Sequence, residues 1–313
     1  MHSKGQRDIT LTLVPFEKVP PLYDGRRAAL TLNVLVVGAG LGGLAVAHSF
    51  AHADRRVIIL ESSPVLGTGI QLSPNQSRLV IRWGLGLTLA PPRACCQRLS
   101  SSCRYNTGER IGYTRWGRDM ALDYGAPYYQ IHRADYHTLL LRLALTHPGV
   151  HIRLGATVSD VQPDPAVEGG PNVTLASGEV IHADLIIAAD GVRNSIQKIV
   201  MGHDHRPMAT GDTAHRATIP TELLLRSPEL RPFVEAPTMT SYCIVGSVFE
   251  KKNISVASSG FKIQRSKSVF NMMMLHPDDG SIESCSEEGC GDKMRADFAD
   301  FEPRSVPTVQ TYY

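Results

Sequence analysis

Residues 33–51 read NVLVVGAGLGGLAVAHSFA, a run that is almost purely apolar and carries no formal charge. By length alone residues 28–53 could span a bilayer. The internal pattern argues against it. LNVLVV is a short β-branched run suited to a buried parallel strand. GAGLGG follows at once, and glycines at that density break a helix in its middle. LAVAHSFAHA then resumes with helix formers. The run therefore predicts a strand, a glycine turn and a helix.

Gly38, Gly40 and Gly43 fit the spacing G-x-G-x-x-G. In such a turn the first glycine makes the tight bend and the second lets a pyrophosphate approach the backbone. The third lets helix and strand pack closely, and the helix N-terminus presents unpaired N–H groups to phosphate. A second apolar run, RVIILE, closes on Glu61. An acidic side chain at the tip of a second strand accepts hydrogen bonds from ribose hydroxyls and disfavours a 2′-phosphate. The nucleotide expected here is FAD or NAD rather than NADP; the alternative is a βαβ unit whose glycine turn is structural only.

A net charge of +2 makes no strong field, so nucleic acid is not an expected partner. The six cysteines (Cys95, Cys96, Cys103, Cys243, Cys285 and Cys290) form no CxxC pair and read as free thiols of a reducing, cytoplasmic compartment. Residues 1–30 lack a signal-peptide pattern and read as an N-terminal extension. No membrane span is expected. Downstream, a helix is expected from about Pro74 to Trp83. Another is expected after HRADYH, with Asp135 as N-cap and Leu139, Leu140 and Leu143 as its apolar face. VHIRLGATVSDVQPD and PNVTLASGEVIHA read as strands. Residues 246–268 read as a solvated, atypical insert, FNMMMLHPDDG as a core strand plus turn, and GDKMRADFADF as a surface helix. His203-x-His205 with Asp204 lacks a further donor at ligand spacing, so no metal is expected. No G-x-S-x-G occurs to seat a triad nucleophile.

ADLIIAADGVRNSIQKIV repeats the pattern of strand, turn and helix through Asp190 and Gly191, and a simple NAD dehydrogenase has no need of it; this selects FAD. With VVGAGLGGLAVA and Glu61, and with GTGIQLSPNQSRLV, YGAPYYQIHRADYHTLLL, TGDTAHRATIP and FNMMMLHPDDG, the chain resembles the flavin-dependent aromatic monooxygenases. These are the salicylate hydroxylase and p-hydroxybenzoate hydroxylase group, and the likeness is to its fungal members. The resemblance covers roughly residues 31–300. It implies an α/β fold: a Rossmann-like FAD-binding domain over 31–200, and a second, α+β substrate domain whose sheet lies in 201–290. Gly38, Gly40, Gly43 and Glu61 would hold the ADP half of FAD. Gly69 would lie near the flavin-side loop, Arg133 would reach the FAD, and Asp190 and Gly191 would lie near the pyrophosphate. Arg216 matches an active-site arginine. The implied reaction is reduction of FAD by NAD(P)H, addition of O2 to give a flavin hydroperoxide, and oxygen transfer to a small phenolic or polyketide-like aromatic substrate. Oligomeric state is not readable.

The chain also departs from the family pattern. A later strand running into Gly-Asp, whose aspartate binds the ribityl chain, is not found; Gly211-Asp212 and Gly291-Asp292 belong to other elements. Residue 198 is lysine where the family generally has arginine. The expectation is that the C-terminal part of the FAD domain is missing, with 291–313 a truncated tail. Translated intron or misjoined exon sequence would account for 246–268 and for the end. The alternatives to a monooxygenase are a non-catalytic, incomplete flavoprotein that binds at most the ADP part of FAD, and a flavin or NAD oxidoreductase without oxygenation.

Overall fold

The computed structural model describes residues 29–62, 69–86, 88–89, 94–95, 99–204, 208–235, 238–243, 255–256, 261–263, 269–278, 280 and 291–299. Its opening unit is strand β1 (Asn33–Val37), helix α1 (Leu41–His52) and strand β2 (Arg56–Glu61), as the glycine-punctuated run predicts. β1 pairs in parallel with β2 on one side and with Leu185–Ala188 on the other; β2 pairs in parallel with Val150–Leu154. The first three of these strands in the chain lie in consecutive order, and the fourth returns to the far side of β1. Strand order thus reverses between β1 and Leu185–Ala188, and in open α/β sheets ligands bind in the crevice beyond the carboxyl ends of the strands at such a reversal.

Side chains of a strand alternate between faces, and here both faces are covered. Val34, Val36, Val57 and Ile59 point into a core shared with Leu44 and Ala47 of α1 and with Leu139 and Leu140 of the helix Arg133–Leu145. Leu35, Val37 and Leu60 point the other way, into a core with Val161, Val173 and Leu175. That second face is closed by an antiparallel sheet of Val158–Gln162, Asn172–Leu175 and Val180–His182. Each fully buried Val, Leu or Ile contributes about 1.5–3 kcal/mol, which is why an uncharged run at β1 is a core strand.

A further core is built on Asp212–Pro220, antiparallel to Val269–Pro277. Met272 and Met274 lie in it, as expected for a core strand, together with Leu224 and Val234. Another sheet sets Leu99–Arg104 between Arg110–Arg115 and Thr238–Cys243, the latter pairing in parallel. It joins chain from both sides of residue 200.

Four local expectations change. The helix that contains Tyr136 starts at Arg133 with His132 as N-cap, so Asp135 stands inside the first turn, where its charge suits the helix dipole. The helix from Pro74 ends at Val80 and is continued by a π turn, Ile81–Leu85, in which Gly84 has a φ of 84°. Helix Gly291–Asp297 is not a surface helix: Met294 and Phe298, four residues apart, are buried in the further core. Within 246–268, Ser255–Val256 and Phe261–Ile263 are strands paired to Tyr242–Cys243 and Val269–Asn271, not solvated loop. Residues 1–28 of the expected extension, His205, Cys96, Cys285 and Cys290 lie outside the described residues. Among the described residues no helix is long and apolar enough to cross a membrane.

Candidate functional site

Gly38 ends β1 with a φ of 104°, which residues bearing a Cβ rarely adopt, and its N–H donates to Leu60 O at 2.7 Å. A Cβ on Gly38 would stand 2.3 Å from the carbonyl oxygen of Ala189. A Cβ on Gly43 would stand 2.0 Å from the carbonyl oxygen of Gly38. At Gly40 nothing lies within 4 Å of the Cβ position. Two of the three glycines are therefore required by the protein's own backbone, and the middle one faces open space. Gly40 is the extended N-cap of α1, and Leu44 N–H closes the first helical turn on its carbonyl at 3.0 Å.

Glu61, at the end of β2, accepts the N–H of Ala39 on Oε2 at 2.7 Å. The carbonyl of Ala39 accepts from Nε2 of His137 at 2.7 Å. His137 was not singled out by sequence reasoning. The available signal was its place one helical turn after Arg133, on the same face of an amphipathic helix.

The second turn is the neighbour of the first. Ala189 N–H donates to Val37 O at 2.8 Å, and the chain then enters Asp190 and Gly191, the latter with a φ of 82°. Asp190 precedes a short 3-10 turn, Gly191–Arg193, and reaches past it, its Oδ2 accepting from Ser195 N at 2.8 Å and from Ile196 N at 3.3 Å. Gly38, Gly40, Gly43, Glu61, Asp190 and Gly191 thus lie at or beyond the carboxyl ends of three neighbouring strands, at the strand-order reversal.

Gly69 and Arg133 come together on another element. Gly69 opens the strand Gly69–Leu72 and is registered opposite His132, directly before Arg133. Arg133 is exposed at the first position of the helix that carries His137. Arg216 lies elsewhere, exposed in the strand Asp212–Pro220 and registered opposite Met273. Behind α1, His48 is packed against His52, His147 and the edge of Trp83, with His147 Nε2 3.2 Å from His48 Nδ1. Burial first, then the neighbouring His147 and His52, lower the His48 pKa to about 4.

A glycine cradle at the reversal of a parallel sheet, with an acidic residue at the tip of the second strand, defines the class: a Rossmann-type α/β protein of the FAD-binding kind. A family described as an FAD binding domain matches residues 33–74. The chain is 31% identical over 290 residues to the FAD-dependent monooxygenase OpS4 of Beauveria bassiana, covering 90% of this chain and 64% of that protein. It is 30% identical over 212 residues to the 3-hydroxybenzoate 6-hydroxylase of Klebsiella oxytoca, covering 64% of this chain and 51% of that one. Among solved structures, FqzB superposes with a TM-score of 0.70 at 22% identity, over 92% of this chain and 64% of that one. HpxO of Klebsiella pneumoniae, complexed with FAD and uric acid, gives 0.68 at 19% identity, over 89% and 64%. These relationships make the chain similar to FAD-dependent monooxygenases over most of its own length. It spans less than two thirds of the length of the curated relatives it matches.

Proposed function

We propose that this chain binds FAD across the two turns and acts as an NAD(P)H-dependent monooxygenase on a small aromatic substrate. The observation that carries the reading is the contact of the turns: the backbone of Ala189, which delivers Asp190 and Gly191, fills the space a side chain on Gly38 would need. The residues fit the ADP half of the cofactor. Gly40 and the α1 N-terminus offer open backbone to a pyrophosphate. Glu61 offers a carboxylate to the ribose, and Asp190 with Gly191 forms the opposite lip. Residues 31–200 then serve as the FAD-binding domain and 201–290 as the sheet facing the substrate, with Gly69 and Arg133 toward the flavin side.

FAD, when bound, supplies the redox chemistry, taking electrons from NAD(P)H and activating O2 for transfer to a ring carbon. The chain's own part is positioning and electrostatics. A cation such as Arg216 beside a phenol favours the phenolate, the form that donates electrons to an electrophilic oxygen.

The test is the absorbance spectrum of the purified protein, followed by NADH and NADPH oxidation with and without a phenolic substrate. Bound flavin, substrate-stimulated oxidation and a hydroxylated product are expected. Oxidation without product would replace this reading with a simple flavin oxidoreductase. Binding of ADP without retained flavin favours the second reading, a chain that holds the ADP part alone. The second reading draws on the grouping of Gly38, Gly40, Gly43, Glu61, Asp190 and Gly191, all proposed for the ADP half, while Arg216 stands on a separate sheet.

A further inference from the structure

Ala39, between the first two glycines of the turn, is 1% exposed and is held at both ends of its backbone. Its N–H and its carbonyl belong to consecutive peptide planes. Glu61 fixes the first plane and His137 the second, each at 2.7 Å. Because a carbonyl only accepts, the His137 ring carries its proton on Nε2 toward Ala39. The second plane also contains the N–H of Gly40. In a trans peptide that N–H points opposite to the carbonyl, so the direction of the Ala39 carbonyl dictates the direction of the Gly40 donor. Among the described residues the Gly40 N–H has no acceptor. Flanked by glycines, an unheld peptide at this point would rotate freely.

We propose that His137 is a positioning residue for the nucleotide: it sets the Ala39–Gly40 peptide so that the Gly40 N–H stands ready for a phosphate oxygen. It ties that peptide to a helix from a distant part of the chain, the one that begins at Arg133. His137 does not touch the nucleotide; it acts through Ala39. This inference rests on the FAD reading above. Without the bond, only a fraction of the apo-protein holds the competent turn, and apparent affinity falls by that fraction.

The experiment compares wild type, His137→Leu and His137→Gln in the affinity for ADP and for FAD, measured by calorimetry well below the unfolding temperature, alongside the Tm of each apo-protein. Leucine removes the donor and glutamine restores one. His137→Leu is expected to weaken ADP and FAD alike by about tenfold, the worth of a hydrogen bond to a buried carbonyl, with His137→Gln within about threefold of wild type. Should the leucine variant not fold, His137→Asn, too short to reach Ala39, takes its place with the same expectation. Wild-type ADP affinity in the leucine or asparagine variant, with only Tm lowered, would overturn the proposal and leave His137 structural; so would a glutamine variant as weak as leucine. A wild-type protein that binds neither ADP nor FAD would overturn the FAD reading itself, and this inference with it.

Discussion

Gly43 stands over Gly38 so closely that a methyl group on the one would lie 2.0 Å from the carbonyl oxygen of the other, well inside van der Waals contact. Helix α1 therefore rests on the turn that leads into it, and the two glycines cannot be changed independently. The structure separates this glycine from its neighbour Gly40, where the same methyl would meet nothing. Gly43→Ala is expected to lower stability by about 3 kcal/mol or more, the range of overpacking in a close-packed interior. Gly40→Ala should leave the Tm of the apo-protein within a few degrees of wild type and, on the proposed reading, weaken ADP binding, because its methyl would enter the open space proposed for phosphate. Thermal unfolding and ADP titration of both variants check the pair. A destabilised Gly40→Ala with wild-type ADP affinity would show that the cradle serves only the fold.

Glu61 carries the complementary prediction. Its Oε2 is committed to the N–H of Ala39, so the carboxylate braces the turn, and on the proposed reading it also meets the ribose at the tip of β2. Glu61→Gln keeps an acceptor for Ala39 but loses the charge; it should bind ADP about tenfold more weakly, as a charge-assisted hydrogen bond is worth ~1.5–3 kcal/mol. Glu61→Arg replaces the acceptor with a donor and should abolish retention of the nucleotide. Unchanged flavin content in the purified Glu61→Arg protein would show that the nucleotide lies elsewhere.

How far such residues could be read from sequence depends on how local their physics is. Gly38 and Gly43 were legible because a turn with a positive φ and a close helix contact impose glycine within a few residues, and Gly40 was legible from its place in the same spacing. Glu61 and the Asp190-Gly191 turn were legible because each ends a recognisable buried strand. His137 was not, since its partner Ala39 is 98 residues away and the bond depends on how two helices meet. The parallel pairing of Leu99–Arg104 with Thr238–Cys243 was hidden for the same reason: nothing in either segment names the other. Helix Gly291–Asp297 was misread although its signal was present, two apolar residues one turn apart among charges.

Asp190 is expected to brace the second turn before it acts as anything else. Its Oδ2 gathers the N–H groups of Ser195 and Ile196 and so closes the second turn onto itself. Asp190→Ala should cost about 1–3 kcal/mol, the range for losing a hydrogen bond to a charged group. Asp190→Asn retains an acceptor and should cost less. Urea unfolding of the two variants measures this difference, and equal losses would mean that charge rather than the acceptor matters here.

The histidines behind α1 make stability depend on acid. His48 is buried against His147 and His52, and its pKa is lowered to about 4; burial and His52 also lower that of His147. A group whose pKa is lower in the folded than in the unfolded chain is neutral in the fold, and protonation favours unfolding. The contribution is complete above the unfolded value near 6.5 and is lost as pH falls from there toward 4. For His48 alone the loss amounts to about 3 kcal/mol across that window, at 1.36 kcal/mol per unit. Replacing His48 with leucine removes the titration while keeping an apolar contact for Trp83, so the variant should lose less stability than wild type between pH 7.5 and pH 4.5. Urea midpoints at the two pH values test this. An acid loss of equal size in both proteins would assign it to other groups. If α1 presents its N-terminus to the nucleotide as proposed, while His48 ties it to this cluster, ADP affinity in wild type should weaken over the same window, and His48→Leu should flatten that dependence.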